Sequence, residues 1–192
     1  MQNVQQDATD DELVELSKTN PDFFGELVVR YENKLFAFVR RISYFSNEDI
    51  EDIIQDTLVK VYKNLNAFDN SFKFSTWIYR IARNTTFDAI RKKHARPQSA
   101  RLEEEDCLKI FRSSVDLEKE MVVVDDLEKI RKIIDGMPIK YKEVFILKFI
   151  EGKSYEEIMD IIKKPKGTIA TLISRGRKMI VHEIEKKDLT LS

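Results

Sequence analysis

Residues of the types that catalyse reactions are few and scattered in this sequence. Its two histidines, His94 and His182, lie in basic stretches, and its single cysteine, Cys107, has no second thiol with which to form a disulfide. None of the three belongs to a cluster with the spacing of metal ligands. We therefore expect no catalytic residue, no cofactor and no metal ion.

One set of carboxylates leaves an enzymatic alternative open. Asp49, Asp52 and Asp56 follow one side of a predicted helix, as the metal ligands of a small nuclease would. No histidine or lysine of the nearby sequence converges on them. Metal-dependent cleavage of DNA would identify this alternative.

Binding chemistry is denser, above all in the stretch that begins at Trp77. Helical spacing divides this stretch into an apolar face (Ile78, Ile81, Ala82, Thr85 and Ala89) and an opposite face that carries Arg80, Asn84, Phe87 and Arg91. A base can stack on an aromatic ring while arginine holds its phosphate, so the second face suits single-stranded or melted DNA. For Phe74 and Trp77 we expect buried packing rather than base contact.

The charges of the chain are sorted along its 192 residues although the net charge is only -1. Residues 1–56 contain 5 basic residues (Lys and Arg) and 13 acidic ones (Asp and Glu), and residues 71–101 contain 8 basic and 1 acidic. Residues 102–128 contain 3 basic and 10 acidic, and residues 163–187 contain 8 basic and 2 acidic. Two basic blocks are thus separated by an acidic one. Basic blocks of this density favour a polyanionic partner.

The C-terminal part has the pattern of a helix-turn-helix. Ser154 and Glu157 have the spacing of a capping box, residues 163–166 form a short turn, and Gly167 opens the next helix. That helix has an apolar side (Ile169, Leu172, Ile173, Gly176, Met179 and Ile180) and an opposite, basic side (Ala170, Thr171, Ser174, Arg177 and Lys178). Such a polar face is what a recognition helix presents to the major groove.

These elements predict an all-α protein with two small helical domains. Helices are expected from Asn20-Pro21, from near Asn47 and from about Ser75, and again through residues 117–134, 141–150, 154–162 and 167–187. Helical periodicity fades between the third and the fourth of these helices, where Pro97 and a run of acidic residues indicate a flexible acidic linker. The predicted division is a first domain over 1–95, the linker over 96–116, a second domain over 117–187 and a tail over 188–192. With no apolar run long enough to span a bilayer and one cysteine, we expect a cytoplasmic protein.

Two quoted motifs connect these patterns to a known family. Residues 47–68 and 74–93 read NEDIEDIIQDTLVKVYKNLNAF and FSTWIYRIARNTTFDAIRKK, which resemble regions 2.2 to 2.4 of sigma-70-type factors of the extracytoplasmic-function group. Residues 137–180, MPIKYKEVFILKFIEGKSYEEIMDIIKKPKGTIATLISRGRKMI, resemble region 4 of the same factors. The resemblance implies a non-catalytic subunit that binds core RNA polymerase through its clamp and flap, directs it to promoters and helps to open the minus-ten DNA.

The resemblance also implies which residues touch which partner. Polymerase would be bound by the exposed side of the second helix: Asp52, Gln55, Asp56 and Val59. The minus-ten element, with one base flipped into a protein pocket, would be bound by the loop Leu65 to Lys73 and the helix after it: Phe72, Lys73, Trp77, Arg80, Asn84, Phe87, Asp88 and Arg91. Asp88 has a second interpretation, as a residue that only orients an arginine. The minus-thirty-five element would be bound by Lys164, Lys166, Thr168, Ala170, Thr171, Ser174, Arg175, Arg177 and Lys178.

The sequence departs from the family pattern in the DNA-reading helices. Lys163 stands where relatives often have glycine, and a lysine at positive φ would be strained by roughly 1 to 2 kcal/mol. Ala170 removes a cation from the DNA face, whereas Leu172 falls on the core side. We expect contacts to the DNA backbone and apolar contact with thymine to make up for the lost cation.

Two further expectations remain. Relatives are commonly held by an anti-sigma factor, so the resemblance implies such a partner here. A free-standing helix-turn-helix regulator is the alternative, and tight binding of the pure protein to duplex DNA would favour it. That alternative leaves the stretch from Trp77 to Lys93 without a role.

Overall fold

The helices begin and end where the sequence pattern changes. The computed structural model describes residues 8–95 and 130–186. Within these ranges it contains helices α1 (Asp10–Thr19), α2 (Asp22–Ile42), α3 (Asn47–Lys63), α4 (Phe74–Ala95), α5 (Ile139–Phe145), α6 (Tyr155–Ile162) and α7 (Lys166–Lys186), with a 3-10 turn over Leu65–Ala67 and a π-helical segment over Ile146–Ile150. The described ranges contain no strand, and the predicted all-α class is confirmed.

Capping explains several of these boundaries. Asn20 Oδ1 accepts the backbone N–H of Asp22 at 3.0 Å, and Pro21 already has helical angles, so α2 starts where Asn20-Pro21 predicts. Ser154 Oγ accepts the N–H of Glu157 at 3.1 Å, while the Glu157 carboxylate accepts the N–H of Ser154 at 2.7 Å. The capping box predicted for α6 is therefore present.

The described residues form two compact units, one of 8–95 with Ser154–Lys164 and one of 130–153 with 165–186. The predicted linker, residues 96–116, lies outside the described residues, as does the tail over 188–192. The predicted domain limits 1–95 and 117–187 remain predictions.

In the first unit, α1 is fastened to α2 by a small polar cluster. The Asp10 carboxylate accepts hydrogen bonds from Arg30 Nη1 at 3.2 Å and from the Tyr31 hydroxyl. Burial and, after it, this hydrogen bond to Asp10 raise the pKa of Tyr31 well above its usual range. The Tyr31 ring meets Phe74 edge-on at 5.4 Å, so the same residue also connects α2 with α4.

In the second unit, α5 and α7 pack closely because α7 has a glycine at the contact. A Cβ at Gly176 would lie 3.0 Å from Met137 Cε and 3.7 Å from Phe145 Cδ2, so a side chain there would require the Met137 side chain to shift. The π-helical segment follows α5, and its last turn closes with the Glu151 N–H donating to the Ile146 carbonyl at 2.9 Å.

The core of the first unit provides a test of this packing. Phe74 is 1% exposed and Phe72, two residues earlier, is 39% exposed. Replacing Phe74 with alanine leaves a cavity and should lower the free energy of unfolding by about 3 to 5 kcal/mol. Phe72→Ala is the matched control and should cost less than about 1 kcal/mol. Urea denaturation followed by circular dichroism measures both, and equal losses would contradict the packing.

Candidate nucleic-acid interface

A cavity of about 350 Å³ opens between the end of α3, the 3-10 turn and α4. Its lining combines polar and apolar side chains: Lys60, Asn64, Ala67, Trp77, Ile81, Asn84 and Thr85. Lys60 Nζ donates to Thr85 Oγ1 at 3.0 Å, which joins α3 to α4 at the cavity wall. Asn64 Nδ2 donates to the Lys60 carbonyl at 2.8 Å. The wall thus offers hydrogen-bonding groups beside an aromatic ring.

Three aromatic rings, those of Phe68, Phe74 and Trp77, pack together next to this cavity. Phe68 lies 5.8 Å from Phe74 and 5.1 Å from Trp77, and Phe74 lies 5.9 Å from Trp77, measured between ring centroids. Phe74 is packed as expected. Trp77 is half-buried and does two things, because it packs against both phenylalanines and also lines the cavity.

Side-chain bonds fix the loop between α3 and α4. The Asp69 carboxylate accepts the Ser71 backbone N–H at 2.9 Å, and this bond lowers the pKa of Asp69. Asn70 Nδ2 donates to Glu15 Oε1 of α1 at 3.0 Å. This bond, followed by that from Lys18, lowers the pKa of Glu15. Helix α1 therefore holds the outer side of the loop.

Phe72 and Lys73 do not line the cavity. Lys73 Nζ lies 3.3 Å from Glu157 Oε1 of α6, within the same compact unit. The Phe72 ring has the Lys163 ammonium 5.9 Å from its centroid. Sequence reasoning placed these two residues with the others of the minus-ten set, and the structure sets them apart from Trp77 and Asn84.

Helix α4 presents the rest of that set on its outer side. Arg91 and Asn84 are exposed, and Arg80, Phe87 and Asp88 are half-buried. Arg91 Nη2 forms a close ion pair with Asp88, which matches the alternative in which Asp88 orients an arginine. The guanidinium of Arg83, a residue not predicted for this site, lies 4.5 Å from the centroid of the Phe87 ring.

A second surface lies on α3. The predicted polymerase contacts Asp52, Gln55, Asp56 and Val59 are all exposed, Val59 by 50%. A groove of about 340 Å³ runs beside them between α2 and α3, and its lining is Glu32, Asn33, Phe36, Glu51, Ile54, Gln55 and Leu58. Of the four predicted residues only Gln55 reaches the groove. The other three are exposed on α3 but do not line the groove.

The third surface is the polar side of α7. The predicted minus-thirty-five residues are exposed without exception: Lys164, Lys166, Thr168, Ala170, Thr171, Ser174, Arg175, Arg177 and Lys178. The opposite side is buried at Ile169, Ile173 and Ile180, and half-buried at Leu172. A three-residue connection separates α6 from α7, as a helix-turn-helix requires.

Comparison with known proteins agrees with this arrangement. Residues 27–96 match the family model of sigma-70 region 2, and residues 127–180 match that of sigma-70 region 4. The chain is 33% identical over 183 residues to an ECF RNA polymerase sigma-E factor of Haemophilus influenzae, covering 92% of this chain and 96% of that protein. It is 35% identical over 173 residues to the ECF RNA polymerase sigma factor SigW of Bacillus subtilis, covering 86% and 91%.

The chain belongs to the sigma-70 family, in its extracytoplasmic-function group. A solved sigma factor, RpoE of Bartonella quintana in complex with the anti-sigma factor NepR, is similar in structure, with a TM-score of 0.64, 25% identity and coverage of 84% of this chain and 96% of that one. The protein is accordingly a sigma factor that directs RNA polymerase to promoters. The free-standing regulator is not favoured, because it gives no role to the region 2 match.

The structure also bears on the nuclease alternative. Among the described residues, no group of three or more His, Cys, Asp or Glu side chains is arranged to hold a metal ion. Asp49, Asp52 and Asp56 therefore do not form the cluster that a metal-dependent nuclease needs.

No helix in the described ranges is both long and apolar enough to cross a membrane.

Four cavity residues of this sigma factor escaped sequence reasoning: Lys60, Asn64, Ile81 and Thr85, whereas Ala67 belongs to the loop Leu65 to Lys73 that the resemblance implied. Lys60 and Asn64 are one helical turn apart at the end of α3, immediately before the loop. That spacing was the one feature of the sequence that could have indicated that these two residues share a site. Thr85 and Ile81 were assigned to the core, where Thr85 is indeed buried.

Lys163, in the turn between α6 and α7, has φ 56° and ψ 49°, the left-handed conformation expected from the family comparison. Lys163→Gly removes the strain of about 1 to 2 kcal/mol but adds freedom to the unfolded chain. We expect a net gain of roughly 0.5 to 1 kcal/mol in the free energy of unfolding. Lys164→Gly, one residue later and without positive φ, should instead lose stability. Denaturation curves compare the two, and a loss for Lys163→Gly would be inconsistent with the strain.

Proposed function

We propose that this sigma factor recognises melted minus-ten DNA with the α3–α4 cavity and the outer side of α4, and that it supplies no catalytic group. The observation that carries the proposal is the cavity itself, a polar and aromatic concavity lined by the same helix, α4, that carries the half-buried Arg80 and the exposed Arg91. An unstacked base entering it would meet the Trp77 ring and the Asn84 amide. Aromatic stacking of about 1 to 3 kcal/mol per base offsets the few kcal/mol that unstacking costs.

The cations of α4 supply the complementary backbone contacts. Arg80 and Arg91 stand three helical turns apart on the outer side of the helix, with Asn84 and Phe87 between them. The Arg91 side chain is oriented by Asp88, so part of its conformational entropy is lost before DNA binds. These arginines would follow the phosphates while Asn84 contacts the base.

The polar side of α7 is proposed to read the duplex of the minus-thirty-five element. Its first turns carry short side chains, Thr168, Ala170 and Thr171, which allow the backbone to approach the major groove. The Thr171 hydroxyl donates to the Gly167 carbonyl at 2.8 Å, and the exposed Thr171 would offer its methyl group for apolar contact with thymine. The lysines and Arg177 would then bind phosphates.

Core polymerase is proposed to dock on α3. The exposed carboxylates Asp52 and Asp56 and the apolar Val59 lie on α3, which also lines the α2–α3 groove, and the groove lining includes the apolar Phe36 and Leu58. A basic partner helix with apolar side chains fits such a surface. The similarity to a sigma factor solved with an anti-sigma factor supports an anti-sigma partner as well. With these partners, the protein is proposed to act in the cytoplasm.

Transcription in vitro tests the minus-ten assignment. Core polymerase with this protein should give promoter-specific transcripts on a library of upstream regions, and core alone should give none. Asn84→Ala should lower those transcripts by about 5- to 100-fold, the range of one base contact, without weakening core binding. Asn47→Ala, at an exposed asparagine of α3, is the control and should leave them unchanged. Equal activity of Asn84→Ala and the unmodified protein would refute the assignment.

Charge reversal tests the docking surface. The double variant Asp52→Lys and Asp56→Lys should weaken core binding at least about 10-fold, and raised salt should shrink the difference. The double variant Asp11→Lys and Asp22→Lys makes the same change in net charge at exposed positions of α1 and α2 and should bind as before. Fluorescence anisotropy of labelled protein titrated with core measures both. Equal losses in the two variants would mean that only net charge matters.

A further inference from the structure

Ala170, Ser174, Arg177 and Val181 follow one line along α7, because residues three and four apart lie on the same side of a helix. All four are exposed. Lys166, the first residue of α7, stands at the start of this line, and Arg177 is the next cation on it. With Ala170 in between, the positive charge that this line offers to DNA beyond the first turn comes from Arg177.

The side chain of Arg177 lies over an aromatic ring of the π-helical segment. Its guanidinium carbon is 5.2 Å from the centroid of the Phe149 ring, within the range of a cation–π contact. Both residues belong to the same compact unit. Stacking on a ring uses none of the five N–H donors of a guanidinium, so those donors stay available to phosphate oxygens.

Packing fixes the position of the Phe149 ring. Its centroid lies 4.4 Å from that of Phe145, the last residue of α5. Phe145 in turn lies against the glycine of α7, because a Cβ at Gly176 would be 3.7 Å from Phe145 Cδ2. The Phe149 ring is thereby anchored on its inner side, while 44% of the residue stays exposed.

We propose that Phe149 is a positioning residue for DNA binding, which holds the Arg177 guanidinium at the phosphate backbone of the minus-thirty-five element. This inference rests on the proposed function, in which the polar side of α7 faces that element. A long arginine side chain loses conformational entropy when it binds, and a ring that already orients the side chain reduces this loss. Phe149 thus strengthens the attraction to phosphate on a line where Ala170 supplies no cation, and it does so without touching DNA.

Two other roles of Phe149 predict different results. As a residue of the core, it would act through Phe145, and its loss would weaken promoter binding whether or not Arg177 is present. As part of an exposed apolar surface with Ile150, it would bind polymerase instead. A double-mutant cycle between Phe149 and Arg177 separates these roles, because an interaction energy appears only where two side chains act together.

The test titrates a labelled promoter duplex with full-length protein bound to core polymerase, at several salt concentrations. Arg177→Ala removes a phosphate contact and should reduce the magnitude of the slope of log affinity against log salt by about one. Phe149→Leu retains the charge, so it should keep that slope but weaken binding by about 2- to 5-fold, the range of an exposed cation–π contact. Phe149→Tyr retains the ring face and should bind as the unmodified protein does.

The double variants decide between the three roles. Phe149→Leu should cause no further loss of promoter binding in the Arg177→Ala variant. In the Arg175→Ala variant it should still cause its full loss of about 2- to 5-fold. Arg175 is the matched control, because it is an exposed arginine of α7 two residues before Arg177.

Three other results would overturn the inference. An equal effect of Phe149→Leu with and without Arg177 would give the ring a structural role only. A loss of core binding that matches the loss of promoter binding would make the ring a polymerase contact. An unchanged salt slope in Arg177→Ala would mean that Arg177 binds no phosphate.

The proposed function is tested apart from these variants, with the unmodified protein. Each base pair of the minus-thirty-five element is replaced in turn, and binding of the polymerase complex is measured. If no replacement changes binding, α7 does not read that element, and the proposed function itself fails. If replacements do change binding while the cycle shows no interaction between Phe149 and Arg177, only the positioning role is lost.

Discussion

The packing of Phe68 and Phe74 against Trp77 is the constraint on which the functional region depends. Only ten residues separate the end of α3 from the start of α4; Phe68 lies within that connection and Phe74 is the first residue of α4. Burial of Phe68 and Phe74 fixes where the loop turns and thereby how α3 faces α4. Tyr31 extends the cluster to α2. The cavity is the space that this packing leaves open above Trp77.

Electrostatics follows the same geometry. Helix α3 carries exposed carboxylates, α4 carries exposed basic side chains (Arg91, Lys92 and Lys93), and the two helices pack side by side. Lys93 and Asp49, 3.4 Å apart, join the two signs where the end of α4 meets the start of α3. An exposed pair of this kind contributes at most about 1 kcal/mol to stability. The separation of charge therefore matters more for partner binding than for folding, because the acidic α3 favours basic partners and the basic α4 favours acidic ones.

Sequence reasoning predicted correctly those features that depend on the residues of a single helix. The caps at Asn20 and Ser154 and the two faces of α7 were predictable because each depends on residues within a few positions of one another. Helix α1 was missed although Thr9 and Glu12 form a capping box that the sequence displays. The cavity is a different case. Lys60 and Asn84 face it from separate helices, and helical periodicity does not reveal which residues of two helices meet.

Lys163 shows how a local conflict can serve a site. A glycine would adopt φ 56° without strain, so the lysine costs stability at a position where its backbone amide still closes α6 by donating to the Met159 carbonyl at 2.8 Å. What the lysine adds is charge. Its ammonium lies 3.5 Å from Asp160, and with Lys164 and Lys166 it makes the connection before α7 strongly basic. Under the proposed reading of DNA by α7, Ala170 offers no cation on the DNA face and the turn would supply the attraction to phosphate, so the strain at Lys163 would serve binding rather than folding.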